Sequence, residues 1–313
     1  MMSPTVEFVE ANGLRFEVHT AGNPDSDRLA LCLHGFPEHA FSWRHQLPML
    51  SDLGYRVWAP NQRGYGRTTR PTQASDYHIS HLLNDVAGLI DAARARSVVL
   101  IAHDWGGIVG WLFALRAVRK IDRFCVMNLP HPALFRENLL HNAVQRRRSR
   151  YERFFQWPRV PEWLFRARGA RAVGGAFRNM AVNKSRFPDE VLDVYRKHAL
   201  EPGAMTAMLN WYRANPFREV TAGAFPVLAT PTLMIWGQHD AALGVEMTRG
   251  TEELVRDFNV RYLNASHWVQ QDAPDETNAI LRAWLAGDPL PTGEADPAGS
   301  DDGVEALAAK RRT

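Results

Sequence analysis

The sequence predicts an α/β fold: a mostly parallel central sheet with helices on both faces and an inserted helical cap. Three observations carry this. Short apolar runs of strand length alternate with helical patterns through the first 130 residues and again towards the end of the chain. Between Pro130 and about Pro226 the strand signal disappears, replaced by arginine-rich and aromatic-rich helical text. Finally, the run "LIAHDWGGIVG" (Leu100 to Gly110) sets a carboxylate at a strand-to-helix junction, among small residues.

Taken in order, "FVEANGLRFEVHTAG" reads as a two-stranded opening that turns at Asn12-Gly13, a pair suited to a tight hairpin. "LALCLHG" is a buried strand ending at Gly35, followed by a helical stretch from Phe41 to Leu53. Strand "YRVWAP", loop "NQRGYGRTTRP" and helix "ISHLLNDVAGLIDAARA" come next, then strand "SVVLIAHD", helix "WGGIVGWLFALRA" and strand "RFCVMNLP". The alternation resumes with strand "TPTLMIWGQHD", a helical stretch from about Val245 to Val255, strand "VRYLNASH" and the closing helix "PDETNAILRAWLA". A core of residues 1–130 and 227–286 follows, with residues 131–226 as a helical lid emerging where the strands' carboxyl ends lie. The tail 287–313, rich in Gly, Pro and Asp, is expected to be disordered, with at most a frayed terminal helix.

Composition narrows the function. The 313 residues are 45% hydrophobic and 23% charged, an ordinary globular balance, and a net charge of +3 is too small to indicate nucleic acid. No segment has the apolar length to span a bilayer, and "MMSPTVEFVEANG" lacks a basic start and an apolar signal core, so a cytoplasmic protein without a membrane partner is expected. Cys32 and Cys125 both sit in apolar runs and read as buried thiols rather than as metal ligands or a disulfide.

Ala102-His103-Asp104-Trp105-Gly106 matches the small-x-nucleophile-x-small elbow, in which a sharp turn exposes the central side chain above the sheet. Asp104 stands where serine is usual. Serine attacking a saturated carbon would leave an ether, whereas a carboxylate leaves an ester that water can open at its carbonyl. An aspartate elbow therefore points to displacement at an sp³ carbon. Taken alone, Asp104 is equally explained as a cap on the helix beginning at Trp105.

Its partners tip the balance. The order nucleophile, acid, histidine requires the last two to follow later strands. His267 in "NASHWVQ" follows the final strand and Asp240 in "WGQHD" the preceding one, while the loop after "RFCVMN" offers Asn128 rather than an acid. His239 beside Asp240 keeps some ambiguity. In "HGFPE", the Phe36 amide is placed to share with the Trp105 amide the oxygen that turns negative when water adds to an Asp104 ester. His34 and Glu38 are expected to shape this loop, and Pro37 is a candidate to follow a cis peptide.

With "HGFPEHAFSWRHQLPML", "GYRVWAPNQRGYGRTTRP", "AHDWGG", "NLPHP", "YERFFQ", "LNWYR" and "SHWVQQDAP", the chain resembles epoxide hydrolases of the α/β-hydrolase fold from about Val6 to Leu285. The resemblance implies that Tyr151 and Tyr212 on the cap hold and protonate the epoxide oxygen. A neutral phenol is a donor at pH 7 and acidic enough to assist an alkoxide's departure. Without the resemblance, each tyrosine reads as an aromatic packing residue. It also implies a substrate lined by Trp105, Phe36 and Trp268, an epoxide and water as the reacting partners, a vicinal diol as product, and no metal or organic cofactor. Whether the chain forms a homodimer is left open.

Asn61 departs from the relatives, where an acidic residue is common, and is read as loop variation. The cap's "RRRSR" and "RARGAR" read as a solvated basic face, with attraction of acidic substrates as the sharper alternative. Two other functions fit the same nucleophile. A haloalkane or haloacid dehalogenase shares the Asp and His, and the Trp105 N–H would suit a departing halide. Yet the haloalkane type usually has Asn at Phe36 and the haloacid type Arg at Trp105. A ligand-binding pseudoenzyme or receptor could use the same fold, but the intact Asp104, Asp240 and His267 set argues against it.

Overall fold

The computed structural model describes residues 5–296; residues 1–4 and 297–313, including the terminal part of the expected tail, lie outside it. The strands are β1 (Thr5–Ala11), β2 (Leu14–Ala21), β3 (Arg28–Leu33), β4 (Arg56–Pro60), β5 (Ser97–His103), β6 (Arg123–Met127), β7 (Thr232–Gly237) and β8 (Phe258–Leu263). They form one sheet in the order β1-β2-β4-β3-β5-β6-β7-β8. The first two pairings are antiparallel and the rest are parallel. The β1–β2 hairpin turns at Asn12 (φ 49°) and Gly13 (φ 72°), both left-handed, as an Asn-Gly turn favours.

The helices are α1 (Gln46–Asp52), α2 (Ile79–Ala93), α3 (Trp105–Leu115), α4 (Pro132–His141), α5 (Ala143–Arg148), α6 (Tyr151–Phe155), α7 (Val160–Met180), α8 (Asp189–Leu200), α9 (Ala204–Ala214), α10 (Phe217–Val220), α11 (Val269–Asp272) and α12 (Pro274–Ala286). All of α3 is buried, which explains its apolar residues on every side. One core layer joins α2, α3 and the inserted helices to the sheet, and a second packs α1 and α12 on the opposite face. Cys32 and Cys125 lie in that second layer, buried and unpaired.

The helices α4 to α10 fill the interval between β6 and β7. Asp272, buried on α11, accepts hydrogen bonds from Val182 N (3.0 Å) and Asn183 N (2.8 Å) of this insertion and from Ser266 N (2.8 Å) of the core. One carboxylate thus ties the inserted helices to the loop beside His267. Within α7 the helical path breaks at Arg168, Gly169 and Ala170, all left-handed. Residues 288–296, at the start of the stretch expected to be disordered, run beside β8, where Glu294 N donates to Tyr262 O (2.9 Å) and Arg261 Nε to Pro291 O (2.9 Å).

Two local expectations need correction. The helix expected from Phe41 to Leu53 is a 3₁₀ turn, Ala40–Trp43, followed by α1. Pro48 has no N–H to donate to Arg44 and its ring crowds that carbonyl, so the α-helix starts afresh at Gln46. The helix expected over Val245 to Val255 is two 3₁₀ turns, Val245–Thr248 and Thr251–Glu253, separated by Gly250 at φ 84°. Thr248 and Thr251 hydroxyls there bond to the carbonyls of Val245 (2.8 Å) and Thr248 (2.6 Å), competing with helix propagation.

The junction of β5 and α3 is crowded. A Cβ on Gly106 would sit 2.3 Å from Leu33 O and 2.7 Å from His34 O, so only glycine lets α3 start this close to the end of β3. Gly106→Ala is therefore expected to lower stability in urea unfolding by about 2 kcal/mol, the usual scale of overpacking. An unchanged midpoint would show that the junction has slack.

Candidate active site

Asp104 sits at the junction itself, with φ 49° and ψ −120°, and its side chain makes no cap hydrogen bond to α3. This separates the two readings of the residue. Its backbone carbonyl starts the helix by accepting Ile108 N–H (3.0 Å), while its carboxylate turns back over the sheet and accepts Phe36 N–H at Oδ1 (2.8 Å). A left-handed non-glycine residue costs on the order of 1–3 kcal/mol, which surrounding structure must supply. Part of that structure is Gly35, where a Cβ would lie 2.4 Å from the Asp104 Cβ. The peptide between Phe36 and Pro37 is cis.

His267 follows β8 and stands between two carboxylates. Its Nδ1 lies 2.6 Å from Asp240 Oδ2, and its Nε2 faces Asp104 Oδ2 at 3.5 Å. Asp240, after β7, also accepts Asn128 Nδ2 (2.8 Å), Ala242 N (2.7 Å) and Leu243 N (2.9 Å), so its oxygens are fixed from four directions. Asn128 in turn accepts Gly237 N–H (2.9 Å), which locks its amide. His239, the ambiguous neighbour, points to the exposed surface.

Burial alone would drive the His267 proton off. The Asp240 and Asp104 carboxylates outweigh it and hold the imidazole pKa well above its ordinary value. Burial likewise works against the Asp104 charge, and the His267 hydrogen bond and charge, with the Phe36 N–H, reverse it and hold the carboxyl below the usual range. Each group thus favours the charged form of the other.

Tyr151 opens α6 and Tyr212 lies on α9, with ring centroids 6.0 Å apart. Burial, with the nearby Asp104 charge, holds both phenols protonated far above their ordinary pKa. The Tyr212 ring also packs on Phe36 (5.2 Å), Trp105 (4.9 Å) and Phe155 (4.9 Å). Trp268 closes the other side, 5.6 Å from the His267 ring and 4.4 Å from Phe177. All eight residues singled out in the sequence thus gather at the strands' carboxyl ends and beneath the inserted helices.

Sequence reasoning missed part of the support. His103 Nδ1 contacts Glu38 Oε2 (2.7 Å) and its Nε2 contacts the His267 carbonyl (2.8 Å), both fully buried. Glu38 also accepts Gly35 N (3.0 Å), Gln270 Nε2 (3.0 Å) and Gln271 Nε2 (2.6 Å), joining the Phe36 loop to the His267 loop. Asn61 accepts Ala40 N (2.8 Å) and donates to Glu17 (2.7 Å), a structural role that needs no acid. The aromatic density of the cap was the available signal for Phe155, Phe165 and Phe217, which line the same space.

In Asp104→Asn the histidine keeps one of its two carboxylates. Its pKa, followed by NMR of the ring nitrogens, is expected to fall by about 1–3, the usual effect of one adjacent charge. An unmoved titration would mean that Asp240 alone sets it.

Residues 31–274 match the family model of the α/β hydrolase fold. The chain is 37% identical over 283 residues to epoxide hydrolase 4 of Mus musculus, covering 88% of this chain and 78% of that protein. It is also 37% identical over 287 residues to epoxide hydrolase 3 of Xenopus tropicalis, covering 88% and 76%. The crystal structure of Bacillus megaterium epoxide hydrolase with an inhibitor superposes with a TM-score of 0.82 at 28% identity, over 90% of this chain and all of that one. The chain belongs to the α/β-hydrolase fold family, among its epoxide hydrolases.

Proposed function

We propose that the protein converts an epoxide to a vicinal diol through a covalent ester on Asp104. The observation that carries this reading is the pairing of a left-handed Asp104, faced by His267, with two protonated phenols on the helices above it. Tyr151 and Tyr212 bind the ring oxygen while an Asp104 oxygen attacks a ring carbon. The carbon–oxygen bond breaks, and a phenol proton passes to the developing alkoxide. Phe36 and Trp268 shape the walls that receive the substrate, and Trp105 orients Tyr212.

Alkylation makes Asp104 a neutral ester. His267 then loses one of the two charges that held its proton, so the imidazolium gives that proton up, restoring the phenol spent in ring opening, and becomes the base required next. Held by Asp240, His267 removes a proton from water as the water adds to the ester carbonyl. The Phe36 amide, already within hydrogen-bond distance of Oδ1, and the Trp105 amide at the start of α3 receive the negative oxygen. Collapse of this intermediate releases the diol and restores the carboxylate. Every group in the scheme comes from one chain, so a homodimer is compatible but unnecessary, and residues 131–226 act as the lid over the reaction. Among the described residues no helix is long and apolar enough to cross a membrane, which fits a cytoplasmic enzyme.

The phenol pair separates epoxide from halide chemistry, because a halide leaves as an anion without needing a proton. Tyr151→Phe or Tyr212→Phe is expected to slow diol formation roughly a hundredfold, the cost of one transition-state donor at about 3 kcal/mol. The double variant should lose nearly all alkylation of Asp104, although groups acting as a unit need not be additive. The measurement is diol release from aryl, terminal and fatty-acid epoxides beside halide release from haloalkanes. Diol formation by the double variant at the parent rate would make the two tyrosines packing residues, and halide release that survives it would give first place to a dehalogenase.

A further inference from the structure

The cap carries a surface that the chemistry above does not use. Trp157 is 60% exposed and Trp163 71%, with Val160 and Leu164 between and beside them at 45% and 44%. Val160, Trp163 and Leu164 are spaced to share one face of α7, and Trp163 lines a shallow groove with Arg159, Arg166 and Leu200. This exposure does not come from a loose segment. Arg213 grips the backbone beneath it, donating to Phe155 O (3.0 Å), Trp157 O (2.8 Å) and both Glu162 carboxylate oxygens (2.7 and 3.1 Å).

The same stretch is strongly basic. Residues 146–171 hold nine arginines and two glutamates, and all the arginines but Arg148 are exposed. Both acids are turned inwards, Glu162 to Arg213 and Glu152 to the Phe217 N–H (3.2 Å). A solvated helical face explains the arginines but not two exposed indoles among them. An isologous contact between two copies would bring the same cations face to face. Tryptophan with aliphatic neighbours, beside the Arg159 and Arg166 guanidiniums in an arginine-rich segment, is the pattern of an amphipathic surface that lies in the headgroup layer of an anionic bilayer.

We propose that the Trp157–Leu164 face of the cap docks the protein on anionic lipid surfaces. This goes beyond the proposed reaction and does not depend on it, although it would present the cap to a phase in which apolar epoxides concentrate. The connection inwards is short. Phe165, next to Leu164, packs on Phe36 (5.9 Å) and Phe155 (5.6 Å) at the wall of the site. Among the described residues no helix is long and apolar enough to cross a membrane, which bears on insertion across a bilayer and leaves docking on one open.

The test is flotation of the full chain with vesicles of phosphatidylcholine alone or mixed with phosphatidylglycerol, at low and high salt. The parent is expected to float with the mixed vesicles, less so at high salt, and not with phosphatidylcholine alone. Trp157→Ser/Trp163→Ser and Arg147→Glu/Arg166→Glu should each weaken binding by about tenfold or more, with circular dichroism and thermal midpoint unchanged. Flotation by neither vesicle, or equal flotation of parent and variants, overturns the proposal. So does a lipid-free dimer in sedimentation that the tryptophan variant abolishes, since a second copy would then be the occupant of this face.

Discussion

A carboxylate held against its conformational preference at the end of β5 is the constraint on which the molecule depends. Asp104 is left-handed, so its side chain leaves the helix it precedes and reaches the Phe36 amide instead of its own N-terminal amides. That geometry is possible only because Gly35 and Gly106 let the β3 loop and α3 approach to distances no Cβ would allow. The sheet order then does the rest: β5, β6, β7 and β8 are neighbours, so the loops carrying Asp104, Asn128, Asp240 and His267 end on one edge.

The second consequence is electrical. Removing His267 would leave two buried carboxylates without their cation, whereas removing Asp104 or Asp240 leaves the imidazole ring one carboxylate. The His267 ring lies between two carboxylates that raise its pKa, and esterification of one of them would remove part of that effect. The proposed two-step scheme therefore uses one array in two charge states. The phenols lie on the inserted helices and the carboxylates on the core, so the bonds from Asp272 to Ser266, Val182 and Asn183 keep the two sets in register.

Much of this was legible in the sequence because local patterns encode it. Alternating apolar runs mark buried parallel strands, and the closing helix begins at Pro274, where proline suits a first helical position. The elbow could be read because three small or special residues must be adjacent in the chain, and the histidine and its acid because they follow the last two strands. What was not legible depends on contacts between distant residues. Glu38 meets His103 across 65 positions, and Gln270 and Gln271 across more than 230. The raised pKa of His267 was out of reach for the same reason: it reflects two carboxylates converging in space, neither adjacent to it in the chain. The failed helix at Val245–Val255 shows side-chain hydroxyls and a left-handed glycine overriding an apparent periodicity.

The covalent ester on Asp104 is tested most directly by following oxygen through a single turnover. With enzyme in excess over epoxide in ¹⁸O-water, the first diol should carry ordinary oxygen from the carboxylate, and the heavy label should appear in Asp104 on peptide mass analysis. Heavy oxygen in the first-turnover diol, with Asp104 unlabelled, would contradict the ester. Water would then be the nucleophile and Asp104 its general base.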